Sequence, residues 1–267
     1  MKRREIQARL ELYDDLAGIL GVMRSFALAE LNRVTKRERV QSQVVQSLMD
    51  AHRDAGPHHE AEPETANDVW ILFGATRGFC GSFNEDVLRA WRAKGRAVAL
   101  PPIVVGERLL SHFPEFVPVI AVPGATGAIE APTTVERVLV AIAGSGQSGR
   151  APTGLVACLR DDNGARIQRV LPLPKVAHPT HGDMPLMNEP VARVTAGISQ
   201  YCIYHTLLAL LLCSIRVENR LRLMQMDSAL NHLDKNTEKL KLQRNRLRQE
   251  EIIGEIEAIA REKAEVY

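Results

Sequence analysis

The sequence predicts an α/β fold in which the N- and C-terminal helices pair as a long antiparallel coiled coil around an inserted α/β segment. Three observations predict it. Proline is absent from Glu5 to Asp54 and again from Val191 to Tyr267, while twelve of the fourteen prolines fall between Asp68 and Pro190. Short β-rich runs alternate with helical patterns only in that middle part. Finally, the C-terminal part carries apolar residues at 3-4 spacing over more than three heptads, and such a seam needs a second helix to cover it.

The N-terminal segment, residues 1–55, holds only Gly18 and Gly21 among its glycines up to Asp54. Its residues Leu12, Leu16, Ile19, Met23 and Phe26 recur at 4-3-4-3 spacing, which predicts one helix with these side chains as its inward stripe. Ala55-Gly56-Pro57 ends it, and the polar stretch with Pro63 reads as a loop.

Residues 67–190 read as a Rossmann-like α/β domain. The strand candidates are VWILF (69–73), IVV (103–105), FVPVIAV (116–122), LVACL (155–159) and IQRVLPL (167–173), with helical patterns at 83–94, 107–112 and 133–143. From 191 to 267 one very long helix is expected. Leu223, Met226, Leu230, Leu233, Thr237, Leu240, Arg244 and Leu247 form its a/d seam, with a register shift near Ile252, Ile256 and Ile259. At about 1.5 Å per residue, Ile215 to Arg261 would extend roughly 70 Å.

Composition narrows the function classes. In 267 residues, 34 Lys and Arg face 32 Asp and Glu, a net charge of +2, so no global field calls for nucleic acid. Aromatic residues make up 4%, too few for a base-stacking surface. Cys80, Cys158, Cys202 and Cys213 share no CxxC spacing and read as reduced thiols. The apolar run Tyr201–Ile215, interrupted by His205, is short of a membrane span and reads as a buried helix. Acidic residues at Glu5, Glu11, Asp14 and Asp15 and the lack of a hydrophobic stretch argue against an import or secretory leader, so the mature chain is expected to start near Met1.

Local charge is less even. Residues 216–248 carry +5 and residues 250–265 carry −4, a bipolar helix that is either a solvated face or a stripe read by a partner. Lys235, Lys239 and Arg246 occupy outer heptad positions.

Catalytic chemistry is sparse. Gly144-Ser-Gly146-Gln-Ser-Gly149 spells GxGxxG, but it follows a helical pattern and precedes a strand, the reverse of a dinucleotide site. No GxxxxGK[ST] exists. His58 with His59, and His178 with His181, lie in proline-flanked loops without further ligands and read as loop histidines. No catalytic residues, metal or cofactor are expected, and the isolated chain does not read as an enzyme.

Two motifs carry a family resemblance. After the strand at 69–73 comes Arg77-Gly78-Phe79-Cys80-Gly81-Ser82-Phe83-Asn84, similar to the RG-L-CG-x-L-N signature of the gamma subunit of F-type ATP synthases, with phenylalanine for both leucines. The run from Leu240 through Asn245, Arg248, Gln249, Ile252, Glu255 and Ile256 to Ile259 resembles that subunit's C-terminal L-x-L-x-x-N-x-x-RQ-x-x-I-x-x-E-[IL]-x-E-I, with Ala258 for the last acid. Glu218, Arg222 and Met226 fit its E-x-x-x-R-x-x-x-M. Leu171-Pro172-Leu173-Pro174 and Glu189-Pro190 also fit, and all occur in family order. As a local structure, RGFCG suits a strand-to-helix turn in which Gly78 and Gly81 permit tight backbone and a small Cys80 packs closely.

The resemblance implies a central-stalk rotor that performs no chemistry itself. Its partners would be the alpha and beta subunits of the catalytic hexamer, the epsilon subunit and the c-subunit ring. It would sit peripherally at the cytoplasmic face of a prokaryotic cell membrane. Met23, Arg24, Glu30, Arg222, Lys235, Lys239, Arg246, Arg248 and Gln249 are then the candidates for hexamer contact. Arg77, Gly78, Cys80, Gly81 and Asn84 are the foot-domain signature. The first helix departs from the family: Ile19, Met23, Ala27 and Leu31 match, but the lysines are gone, Glu30 reverses a charge, and Thr76 replaces the acid before Arg77. This implies a divergent gamma, of which an alternative, sodium-type synthase operon is one source. A non-rotary coiled-coil adaptor and a small nucleotide-dependent enzyme are the rival readings.

Overall fold

The computed structural model describes residues 3–54, 67–94, 100–145, 154–173 and 188–265. Two proline-free segments form long helices, α1 (Arg3–Asp54) and α5 (Val191–Glu265), because nothing in either interrupts the backbone ladder. Between them lie β1 (Asp68–Phe73), α2 (Phe83–Lys94), β2 (Ile103–Val105), α3 (Glu107–Leu110), β3 (Ile120–Val122), α4 (Ala131–Ser145), β4 (Gly154–Asp161) and β5 (Gly164–Leu171). The chain is therefore mixed α/β. By internal contacts it divides into two compact units, Met1–Ala27 with Leu223–Tyr267, and Leu28–Arg222.

The larger unit is built on a five-stranded sheet of order β3-β2-β1-β4-β5. β1 pairs in parallel with β2 and β4, and β2 with β3; β5 returns antiparallel to β4 through a turn at Gly164, whose φ is 130°. Strands covered on both faces need apolar residues without alternation, and β1 is buried at every position. Its side chains then divide by parity. Val69, Ile71 and Phe73 pack with Val135 and Val138 of α4, Leu207, Leu211 and Ile215 of α5, and Val34 of α1. Trp70 and Leu72 pack with Phe83, Val87 and Leu88 of α2 and Leu109 of α3. Val217 of α5 joins this second cluster.

The strand expectations hold with edited ends. The run at 116–122 yields only Ile120–Val122, because Pro118 lacks a ladder donor, and Phe116 is exposed. The run at 167–173 begins earlier, at Gly164, and stops before Pro172. α4 starts at Ala131, with Pro132 in its first turn, where no N–H is required. α5 contains a stretch long and apolar enough to cross a membrane, contrary to the short run expected; half of that stretch is buried, with Leu207, Leu208 and Leu210–Leu212 in the core of the sheet unit.

In the smaller unit the two helical segments run antiparallel. Arg3 pairs with Glu251 at 3.1 Å, Arg244 donates to Gln7 at 3.4 Å, and Arg24 pairs with Asp227 at 2.5 Å, so the partner number falls as the other rises. Ile6, Leu10 and Leu240 form its apolar cluster, joined by Tyr13 and Leu247. On α5 the expected a/d seam is the covered one: Met226 and Leu240 are buried, and Leu223, Leu230, Leu233, Thr237, Arg244 and Leu247 are half-buried.

On α1 the expected stripe is the wrong one. Leu12, Leu16, Ile19 and Phe26 are exposed, Phe26 at 69%, and only Met23 is half-buried. The covered stripe is Ile6, Leu10, Tyr13, Ala17, Leu20, Ala27, Leu31, Val34, Glu38, Gln41, Val45 and Leu48, again at 4-3 spacing apart from the gap at Arg24. Its alanines and polar members conceal it from a count of large apolar residues.

Candidate functional site

The RGFCG motif lies in the sheet unit, where β1 ends. The chain leaves β1 to add β2 and β3 on one side and later adds β4 on the other, so the strand order reverses beside β1. In open α/β sheets that reversal is the usual ligand crevice. Here the chain fills it. Glu218 of α5 accepts hydrogen bonds from the Thr76 N–H at 3.3 Å through Oε2 and from the Arg77 N–H at 3.2 Å through Oε1. Arg222, one turn later, pairs with the Glu218 carboxylate and donates from Nε to the Gly78 carbonyl at 3.0 Å and from its guanidinium to Asn219 Oδ1 at 2.8 Å. Both charged side chains are buried. Burial pushes the Glu218 carboxyl upward, opposed by Arg222 and the two amides.

The motif residues divide by role. Asn84 is buried and accepts from the Ala75 N–H at 2.9 Å, tying the start of α2 to the end of β1. Cys80 is buried, and desolvation, with Glu218 nearby, pushes its thiol up to about 11. That suits packing rather than nucleophilic chemistry. The left-handed residues are Phe79 (φ 61°) and Gly81 (φ 58°), so the conformational freedom expected of Gly78 is used one residue later. Phe79 is 59% exposed on this constrained turn, and the Arg77 side chain is exposed as well.

Close approach of the strand ends explains further glycines. A Cβ at Gly124 would lie 2.0 Å from Thr76 Oγ1 and 3.0 Å from Gly106 Cα, and one at Gly106 (φ 104°) would lie 2.7 Å from the Gly74 carbonyl.

Other polar ties leave no local pattern in the sequence. Arg216 Nε lies 2.5 Å from Glu38 Oε2, its guanidinium reaches Asp162 at 2.8 Å, and Arg220 reaches Asp162 at 2.7 Å. Gln41, buried on α1, places its amide nitrogen 2.8 Å from His205 Nδ1 and donates to the His205 carbonyl at 3.0 Å. Desolvation lowers the His205 pKa. Asp68 and Arg169 form a two-pronged pair at 2.6 and 3.2 Å. Only Glu218 and Arg222, at i and i+4, left a local signal; the rest pair residues far apart in sequence.

Of the residues expected to meet a partner, Arg222 is the clearest correction: it is buried and its donors are used internally. Glu30 is turned inward too, accepting from the Ala128 N–H at 2.7 Å beside Gly127, where a Cβ would meet its carboxylate at 2.3 Å. Met23 is half-buried, and Arg24 is exposed but paired with Asp227. Lys235, Lys239, Arg246, Arg248 and Gln249 are exposed, with Arg246 bonded to Glu250 at 3.0 Å. Gly144 and Ser145 lie at the end of α4; residues 146–149 of the GxGxxG run, both histidine pairs and Pro174 lie outside the described residues.

No family model matches the sequence, and no curated protein matches it. The fold has counterparts among solved structures. A chain from the rotor of the Euglena gracilis mitochondrial ATP synthase, rotational state 1, is 15% identical, with TM-score 0.60, over 94% of this chain and 98% of the other. A chain from the OSCP/F1/c-ring part of the same species' enzyme, rotational state 3, is also 15% identical, with TM-score 0.63, over 96% and 92%. One from the central stalk and c-ring of the Tetrahymena thermophila mitochondrial ATP synthase is 14% identical, with TM-score 0.55, over 79% and 99%. At these identities the likeness is one of fold, and it extends over most of the molecule.

Proposed function

We propose that this chain is a gamma-like central-stalk rotor subunit of an F-type ATP synthase, coupling ion flow through a membrane ring to conformational cycling of a catalytic hexamer. The observation that carries the reading is the fold likeness to ATP synthase rotor chains over nearly the full length of both molecules. The gamma-like motifs at Arg77–Asn84 and Leu240–Ile259 support the same reading independently.

In this reading α1 and α5 pair as a coiled coil, residues 67–190 form the foot, and chemistry belongs to alpha and beta subunits. Epsilon and the c-ring hold the foot at the cytoplasmic face of the membrane. Exposed apolar side chains support a partner. Leu12, Leu16, Ile19, Val22 and Phe26 on α1, and Ile252, Ile253, Ile256 and Ile259 on α5, would cost free energy in water unless a sleeve covered them. Met23, Arg24, Lys235, Lys239, Arg246, Arg248 and Gln249 would meet that sleeve. A shaft acts by binding the conformations of the catalytic sites unequally in each orientation, since only differential binding shifts populations.

Co-expression with the alpha and beta subunits of an F-type ATP synthase tests the reading. A rotor co-purifies with both in one ATP-hydrolysing complex, and removal of Glu255 onward weakens that assembly while the α/β unit stays folded. A chain that never joins such a complex is an adaptor, and nucleotide turnover by the purified chain alone would replace both readings with an enzymatic one.

A further inference from the structure

The end of β1 gathers several donors on one buried group. Two successive backbone amides, Thr76 and Arg77, point at one carboxylate, one to each oxygen. A buried guanidinium, Arg222, faces the same group and is itself held by the Gly78 carbonyl and Asn219 Oδ1. The Arg222 and Glu218 side chains are only 7% and 5% exposed. All of this stands where the strand order reverses, the place at which open α/β sheets take anionic ligands.

We infer that this is a carboxylate-binding cradle whose resident ligand is the chain's own Glu218. Two amides and a guanidinium form a complete donor set for a planar carboxylate. The carboxylate is supplied by α5, so docking of that helix and entry of an external anion exclude one another. As the cradle is filled, it closes the crevice that this strand order otherwise leaves open to a ligand. The inference is independent of the rotary reading.

Replacing Glu218 by alanine removes a CH2–COO⁻ group, which acetate matches in shape and charge. In thermal unfolding of the full chain, Glu218→Ala should gain a saturating rise in Tm of a few degrees at acetate about tenfold above its dissociation constant, relative to chloride at equal ionic strength. The parent chain should show no acetate-specific rise, and neither should Glu218→Ala with Arg222→Met, which removes the cationic partner. If Glu218→Ala does not fold in chloride, recovery of the fold in acetate is the expected result. Identical responses to acetate and chloride in Glu218→Ala, an equal acetate response in the parent or in the double variant, or failure to fold in either salt would overturn the inference.

Discussion

Arg216 and Glu38, 178 positions apart, meet with Nε 2.5 Å from Oε2 and join α5 to α1 within the sheet unit. The same guanidinium extends to Asp162 in the β4–β5 turn, so one side chain fixes three elements against each other. Apolar packing between helix and sheet tolerates small slips; directional charged hydrogen bonds do not.

Asp162 makes this network sensitive to acid. Burial works to raise its carboxyl, but the hydrogen bonds and charges of Arg216, and then of Arg220, outweigh it and hold the pKa below the usual aspartate value. A carboxylate lowered in the folded state contributes stability above its unfolded pKa and loses it as pH falls through the folded one. Asp162→Asn should therefore destabilise the chain at neutral pH by a few tenths to about 1 kcal/mol, since the site is partly exposed. Denaturant titrations from pH 7 to pH 3 should show the gap between parent and variant closing below about pH 4.

Two glycine substitutions should act with opposite signs. Gly106→Ala places a Cβ against the Gly74 carbonyl at a positive φ and should lower Tm markedly. Gly197→Ala, in α5 with nothing within 4 Å of the new Cβ, should stabilise by about 0.5–1 kcal/mol. Equal effects at the two positions would contradict the packed strand ends.

The seam of α5 can be checked by neighbouring leucines. Leu240→Ala, in the cluster with Ile6 and Leu10, should cost about 2–5 kcal/mol of local stability, whereas Leu242→Ala, 71% exposed, should stay within about 0.5 kcal/mol. Amide exchange along residues 223–251 reports the difference.

The charged outer face serves the rotor reading. Lys235→Glu, Lys239→Glu and Arg246→Glu together should leave the melting of the isolated chain nearly unchanged, as exposed pairs are worth about 0–1 kcal/mol. In the assembled complex in vesicles the triple variant should lower ion-coupled ATP synthesis, with the defect shrinking at high ionic strength. Parental coupling in the assembled variant would make the stripe a solvated face.

Much of this architecture was already written in local patterns. The proline-free ends determined two long helices, the Leu223–Leu247 spacing determined the covered face of α5, and the apolar runs at 69–73, 103–105 and 155–159 determined the buried parallel strands. Local patterns left α1 ambiguous. It carries two stripes at similar spacing, and the larger side chains of Leu12, Leu16, Ile19 and Phe26 pointed to the exposed one; tertiary packing chose the stripe of Ile6, Leu10 and Ala27. The family resemblance implied Arg222 and Glu30 as contacts for a partner. Asn219 is a neighbour of Arg222 on its own helix, but only the fold brought Gly78 to Arg222 and the Ala128 amide to Glu30. Periodicity is set by neighbours three and four residues away, so the sequence displays it. Beyond a helical neighbour such as the one Glu218 offers Arg222, the partners of a buried charge come from groups about a hundred residues distant, and chain topology decides which of them arrive.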